Sequence, residues 1–219
     1  MPASCCDKTD RAFTSSEARN EARQYRRRGP AGQTREILSA IRSFGLKDAT
    51  LLDIGGGIGA IHHELLQDVA KTAVHVDASS AYLNEAEAET ARRGHGERVT
   101  FVHADFTDVA SDLAQADIVT LDRVVCCYPD YDRLLKAAAG RARRLLVLTY
   151  PRETWYLRLS LAILNVFQGF RREPFRGYLH PVPAMDTLLR SGGLSRASLR
   201  RLFVWEVALY CRISQSGDT

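Results

Sequence analysis

Hydrophobic and polar positions follow two regular patterns through most of the chain. Short, nearly all-apolar runs are typical of buried parallel strands, and they occur at residues 50–54, 73–76, 99–103, 118–121 and 145–149. Between these runs the apolar residues recur every three or four positions, which predicts helices at residues 60–69, 79–93 and 130–139, with a short helix near 110–114. The alternation predicts an α/β fold with helices on both faces of a sheet.

The carboxyl-terminal part departs from this alternation. A helical pattern over 183–191 ends at Gly192-Gly193, and strand-like runs at 198–203 and 205–212 follow almost without a gap. A terminal antiparallel hairpin is common on an otherwise parallel sheet. With the five earlier strands, the pattern predicts a mostly parallel sheet that ends in an antiparallel hairpin.

Two segments lie outside this repeating core. Residues 1–30 are predicted to form an amino-terminal arm, disordered at first and then helical over 16–28, and residues 31–219 form one domain. Within that domain, residues 153–180 are an insertion whose first part, Glu153–Arg172, is apolar on most sides. Such a helix is covered by core, serves as a lid or a dimer face, or contacts a membrane surface.

Composition narrows the function classes. The chain has 219 residues, a net charge of +4 and an ordinary 45% hydrophobic content. It shows neither a membrane-spanning run nor a signal-peptide pattern, so we expect a cytoplasmic protein. The early arginines alternate with Glu17 and Glu21 at helical spacing, which favours a solvated helix over a nucleic-acid surface. Five cysteines without a Cys-x-x-Cys motif predict no metal site. The oligomeric state is left open.

The most informative stretch is Leu51–Ala60, an apolar strand followed by a glycine turn and a helix start. Glycines let the backbone approach a ligand closely, and the helix offers unpaired N–H groups. Gly55, Gly57 and Ala60 fit the loose dinucleotide pattern, so NAD and S-adenosylmethionine are both candidate ligands.

Four acids at the ends of successive strands favour S-adenosylmethionine over NAD. Asp53 can hold the ammonium of an amino acid, whereas a carboxylate there repels a pyrophosphate. Asp77 can accept both ribose hydroxyls, and Asp105 can accept the adenine amine with Phe106 packed on the ring. Asp122 ends the fourth strand. Ligands bind at this edge of a parallel sheet, so we predict an S-adenosylmethionine site.

The chain resembles the class I S-adenosylmethionine-dependent methyltransferases. Three motifs carry the resemblance, which covers about residues 34–212: the glycine turn through Gly59, Val76-Asp77-Ala78-Ser79, and Ala104-Asp105-Phe106. It implies a Rossmann-like methyltransferase fold, a seven-stranded sheet whose last strand is antiparallel. It also implies that Gly55 and Gly57 line the methionine portion of the donor. The predicted cofactor site also includes Gly59, Ala78, Leu121 and Asp122.

A closer likeness is to the magnesium-protoporphyrin O-methyltransferases, which methylate a propionate carboxyl. It rests on Leu148-Thr149-Tyr150-Pro151, the apolar insertion and Gly177-Tyr178-Leu179-His180. Tyr25 matches a tyrosine of their amino-terminal arm. That family has a histidine immediately before a Tyr-Pro pair. In this chain the pair is Tyr128-Pro129, and Cys127 stands in the place of the histidine.

We therefore predict an O-methyltransferase acting on a carboxylate or hydroxyl of a small, partly apolar molecule. The predicted catalytic residues are His180, Tyr128 and Tyr25, and the predicted substrate-binding residues are Arg123, Cys127, Trp155 and Tyr178. The adjacent His62 and His63 are expected to face solvent. An NAD-dependent oxidoreductase and a non-catalytic S-adenosylmethionine-binding protein are the alternatives.

Overall fold

A computed structural model describes residues 13–170 and 176–213, with the side chains of 164–170 left aside. Its strands are β1 Ala49–Ile54, β2 Ala70–Asp77, β3 Val99–His103, β4 Ala116–Leu121, β5 Ala142–Pro151, β6 Leu194–Arg201 and β7 Trp205–Arg212. Its helices are α1 Ser15–Arg28, α2 Gly32–Arg42, α3 Ala60–Leu65, α4 Ser80–Arg92, α5 Phe106–Val109, α6 Tyr131–Arg141, α7 Trp155–Phe170 and α8 Val182–Ser191.

The strands form one seven-stranded sheet in the order β3-β2-β1-β4-β5-β7-β6. Strands β1 to β5 are parallel, whereas β7 runs antiparallel to both β5 and β6. The predicted mostly parallel sheet with a terminal hairpin is confirmed. The order of the strands reverses between β1 and β4, and ligands bind at such a switch point, outside the carboxyl ends of the strands.

The two faces of the sheet bury two separate apolar clusters because successive side chains of a strand point to opposite faces. Leu51 and Ile118 pack in one cluster, with residues of α2 and α3. Leu52 and Val119 pack in the other, with residues of α6 and α8. This two-sided burial explains why the strands are apolar at nearly every position.

Several element boundaries differ from the sequence prediction. The short helix α5 begins at Phe106 and not near residue 110, because Asp105 caps it by accepting the backbone N–H of Thr107 at 2.9 Å. Strand β6 begins directly after Gly193, at Leu194, and not at residue 198. Helix α3 ends at Leu65, so the predicted helix over 60–69 is too long.

Each of the two predicted outlying segments contains one helix among its described residues. Helix α1 follows a capping box formed by Thr14 and Glu17 and buries Ala18, Ala22 and Tyr25. The predicted disorder at the start of the arm lies outside the described residues. Helix α7 exposes large side chains at Trp155, Leu159 and Ile163, and no helix among the described residues is long and apolar enough to cross a bilayer.

Candidate active site

A cleft of about 800 Å³ opens at the carboxyl ends of the parallel strands. Its walls come from the glycine turn after β1, the ends of β2 and β3, the segment after β4, and helix α1. Leu161 of α7 and residues 176–178 close the remaining side. The cleft therefore brings most of the predicted cofactor residues of the core together with Tyr178 of the insertion.

The glycine turn is held by Asp77. The backbone N–H of Gly57 donates to Asp77 Oδ2 at 2.8 Å, and the N–H of Ser79 donates to Oδ1 at 2.8 Å. Burial raises the pKa of Asp77 to about 6, although both backbone hydrogen bonds oppose that shift. Gly55, Gly57, Asp77 and Ala78 all line the cleft, as the sequence predicts.

The end of β3 supplies a second acid to the same cleft. Asp105 receives hydrogen bonds from the backbone N–H of Thr107 and from the hydroxyl of Tyr128, the latter at 2.9 Å from Oδ2. Phe106 is buried beside it and lines the cleft. Tyr128, predicted as catalytic, thus lies in the cleft but directs its hydroxyl to the predicted adenine region.

The segment after β4 is tightly fixed. Asp122 accepts hydrogen bonds from the hydroxyls of Thr34 at 2.6 Å and Thr149 at 2.8 Å. Burial raises the pKa of Asp122 above its ordinary value. Arg123 has a left-handed backbone, with φ of +61°, and its N–H donates to Thr149 Oγ1 at 2.7 Å. Both residues line the cleft.

Two cysteines follow on this segment. Cys126 and Cys127 both line the cleft, with their Sγ atoms 3.5 Å apart. Each Sγ also lies within hydrogen-bonding distance of the carbonyl oxygen of Arg123. Their mutual contact raises the pKa of Cys126 and lowers that of Cys127. Cys127 and Tyr178 are both wall residues of the cleft, and their contact with a substrate stays a prediction.

Helix α1 covers part of the cleft through Glu21, a residue to which the sequence prediction gave no site role. Glu21 accepts the hydroxyl of Tyr82 at 2.8 Å and forms an ion pair with Arg123 at 2.7 Å. Phe13 packs edge-on against Tyr82 at 5.8 Å and also lines the cleft. These partners are 61 and 102 residues from Glu21 in sequence, and no local pattern indicates such contacts.

Six predicted site residues do not line the cleft, and three of them support its walls instead. Tyr25 lies on the buried side of α1, and its hydroxyl donates to Glu64 Oε1 at 2.7 Å. His180 Nε2 lies 2.9 Å from the carbonyl oxygen of Tyr128, and its ring stacks on Tyr178. Leu121 is fully buried in the core. The predicted catalytic roles of Tyr25 and His180 do not follow from these positions.

The other three residues lie farther from the predicted contacts. Trp155 is 76% exposed, because it lies on the outer side of α7, so it forms no wall of the cleft. Gly59 precedes α3, and a Cβ there would meet the ring of His62 at 2.3 Å. Asp53 is completely buried behind the glycine turn and accepts the hydroxyl of Thr120 at 2.7 Å.

The expectation that His62 and His63 face solvent is wrong. Both are completely buried, because the short helix α3 packs against the sheet and against α4. His62 lies beside His75 of β2, with their Nδ1 atoms 3.2 Å apart. Burial lowers the pKa of His62 and that of His75 to about 3, so these two rings are neutral at physiological pH.

Comparison with protein families decides between the two candidate ligands. Residues 51–146 match the family model described as "Methyltransferase domain". These residues form a methyltransferase domain. This domain uses S-adenosylmethionine as its methyl donor, and the chain is an S-adenosylmethionine-dependent enzyme. The dinucleotide alternative, which rested on the loose glycine pattern alone, is not supported.

Solved structures share the fold of the methyltransferase domain. Magnesium protoporphyrin IX methyltransferase (ChlM) from Synechocystis PCC 6803 with bound SAH is 21% identical, with a TM-score of 0.73 over 94% of this chain and 99% of that one. The O-methyltransferase family 2 protein from Planctomyces limnophilus DSM 3776 in complex with apigenin is 18% identical, with a TM-score of 0.61 over 95% and 64%. An O-methyltransferase family protein from Burkholderia thailandensis is 19% identical, with a TM-score of 0.64 over 92% and 59%.

Proposed function

We propose that this methyltransferase esterifies a carboxylate of a small, partly apolar molecule. The donor end of the cleft is formed by the glycine turn with Asp77, Asp105 and Phe106. On the predicted assignments, the methionine portion lies against Gly55 and Gly57, Asp77 binds the ribose, and Asp105 with Phe106 binds the adenine. The sulfonium methyl then points toward the segment after β4.

The observation that carries the choice of acceptor is the state of the acids that line the cleft. All five are already hydrogen-bonded: Glu21, Asp77, Asp105, Asp122 and Asp130. An acceptor that carries a proton at working pH needs a general base. A carboxylate acceptor is already ionised and needs none, so it suits a cleft whose own carboxylates are engaged.

The acceptor end also has the chemistry to hold such a molecule. Leu161, Pro151 and Tyr178 provide an apolar wall, and Arg123 and Arg176 add positive charge. Small-molecule sites combine a mostly apolar lining with a few placed polar groups. Since methyl transfer from a sulfonium is an in-line displacement, the protein mainly orients the acceptor and excludes water. ChlM, which shares the fold, is named for a porphyrin substrate, and its likeness supports a carboxylate-bearing acceptor.

The proposal is tested by the chemistry of the product. The purified protein is incubated with methyl-labelled S-adenosylmethionine and a metabolite extract, and the labelled product is then treated with alkali. A methyl ester releases its label as volatile methanol under these conditions, whereas a methyl ether or N-methyl group keeps it. We expect alkali-labile product; an alkali-stable label in the product would instead indicate a hydroxyl or nitrogen acceptor.

Matched variants test the acceptor end of the cleft. Arg123→Gln removes the positive charge and keeps a polar side chain, so we expect KM for the acceptor to rise while the affinity for S-adenosylhomocysteine stays close to that of the wild type. Arg143→Gln, at an exposed position on β5 away from the cleft, is the control. Equal kinetics for the two variants would contradict a role for Arg123 in acceptor binding.

A further inference from the structure

Three buried side chains behind the glycine turn converge on one point. Asp53 of β1 and His75 of β2 are paired neighbours in the parallel register, so their side chains leave the same face of the sheet. His62 of α3 covers that face. A donor atom from each of the three lies within 4.8 Å of the other two, and all three side chains are completely buried.

Hydrogen bonding among these groups leaves one buried carboxyl oxygen, Asp53 Oδ2, without a partner among the described residues. The Nδ1 atoms of His62 and His75 are 3.2 Å apart, close enough for one shared proton. Asp53 Oδ2 is 3.6 Å from His62 Nδ1 and has no hydrogen-bond partner among the described residues. Unpaired polar atoms in a protein interior are costly and uncommon. A cation among the three side chains would satisfy Asp53 Oδ2 and both Nδ1 lone pairs.

The distances and the donor set fit a transition metal. Two ligand atoms at 2.0–2.1 Å from a tetrahedral zinc ion lie roughly 3.3–3.4 Å apart. The two Nδ1 atoms are 3.2 Å apart, and His62 Nδ1 is 3.6 Å from Asp53 Oδ2, so both distances are close to that value. Imidazole nitrogens are common metal ligands, and both histidines direct Nδ1 toward this point. Two imidazoles and one carboxylate, with a fourth position for water, form a set that zinc accepts.

We propose that Asp53, His62 and His75 form a buried site for one Zn²⁺ ion. The sequence predicted no metal site, because its cysteines lack the required spacing and the histidines are not adjacent to Asp53 along the chain. The site lies outside the cleft, so the ion ties β1, β2 and α3 together. A Cβ at Gly56 would lie 2.5 Å from Cε1 of His75 and 2.8 Å from Oδ2 of Asp53. The ion would therefore lie directly beneath the glycine turn that lines the proposed S-adenosylmethionine site.

Metal content tests the site independently of methyl transfer. The full-length protein is produced with added zinc, dialysed and analysed by plasma mass spectrometry. We expect one zinc ion per chain in the wild type and loss of zinc in His62→Gln and His75→Gln. His63→Gln is the matched control, because His63 is an equally buried neighbour outside the ligand set; it is expected to keep zinc. Wild-type protein without zinc, or variants with undiminished zinc, would overturn the proposal.

Cobalt substitution of the wild type removes any dependence on how the variants fold. With Co²⁺ in place of zinc, a nitrogen and oxygen donor set gives visible d–d absorption without the near-ultraviolet sulfur-to-cobalt band. That spectrum supports the site. A strong sulfur-to-cobalt band would place the metal on cysteines such as Cys126 and Cys127 and refute the assignment. Absence of any Co²⁺ uptake by metal-free protein would refute it as well.

Discussion

The glycine turn offers a sharp test, because the cost of a side chain at Gly55 can be divided into strain and collision. Gly55 has φ of +58°, and an alanine Cβ there would lie 2.5 Å from Cγ2 of Val124. Gly94, after α4, has φ of +72°, and a Cβ there would meet nothing within 4 Å. Both alanine variants carry left-handed backbone strain, but only Gly55→Ala displaces a wall residue of the cleft.

The expected magnitudes follow from these contacts. A left-handed alanine costs roughly 1–2 kcal/mol, and a stability loss of that size lowers the melting temperature of a domain of this length by roughly 2–8 °C. We expect Gly94→Ala to show this loss alone. Gly55→Ala adds the displacement of Val124 at the predicted methionine subsite, and a further 1.4 kcal/mol there corresponds to about tenfold weaker ligand binding.

The measurement is the dissociation constant of S-adenosylhomocysteine by calorimetry, paired with thermal unfolding of each variant without ligand. Gly55→Ala should bind at least about tenfold more weakly than Gly94→Ala at similar stability. If the two variants bound the ligand equally well, the donor would not lie against Gly55, and the predicted arrangement of the cofactor would be wrong.

Three further predictions address other parts of the structure. Burial raises the pKa of Asp77 from 3.8 to about 6, so the folded state binds this proton more tightly than the unfolded state. The free energy of unfolding of the wild type minus that of Asp77→Asn should therefore rise by about 2 kcal/mol as pH falls from 6 to 4, measured by urea unfolding at each pH. Tyr25→Phe should lose about 1.5–3 kcal/mol from the hydrogen bond to Glu64 and keep the wild-type turnover number; a large fall in turnover would restore its predicted catalytic role. Leu159→Asp, on the exposed side of α7, should reduce flotation with anionic vesicles relative to Ser160→Asp if this helix contacts a membrane surface.

The donor half of the site could be predicted from sequence because topology fixes it. In a parallel sheet the carboxyl ends of neighbouring strands meet at one edge, so Asp77 and Asp105 come together in the cleft once their strands are located. The same reasoning put Gly55 and Gly57 at this edge, and both line the cleft; their contact with the methyl donor stays a prediction. This reasoning did not place Asp53. Its side chain is completely buried beneath the glycine turn, where it accepts the hydroxyl of Thr120, and it does not line the cleft.

The acceptor half depends on contacts that local patterns do not carry. Glu21 pairs with Arg123 across 102 residues, and His180 holds the carbonyl of Tyr128 across 52. Trp155 belongs to an apolar helix whose period predicts a covered face but does not identify which residues face the cleft. The burial of His62 was missed for a similar reason. A histidine in the first turns of a helix is expected to face solvent, and the sequence does not show which elements pack over it.

The contacts of α1 differ in strength, and the difference bears on how ligands reach the cleft. Ala18, Ala22 and Tyr25 are buried against the domain, so they hold the helix in place. Glu21 and Arg123 are 31% and 44% exposed in their side chains, and an ion pair in that setting contributes at most about 1 kcal/mol. The Glu21–Arg123 ion pair therefore contributes less to holding α1 in place than the buried face of the helix does. Because Arg123 is also a proposed acceptor-binding residue, an anionic acceptor would compete with Glu21 for the same guanidinium, which links acceptor binding to the position of the arm.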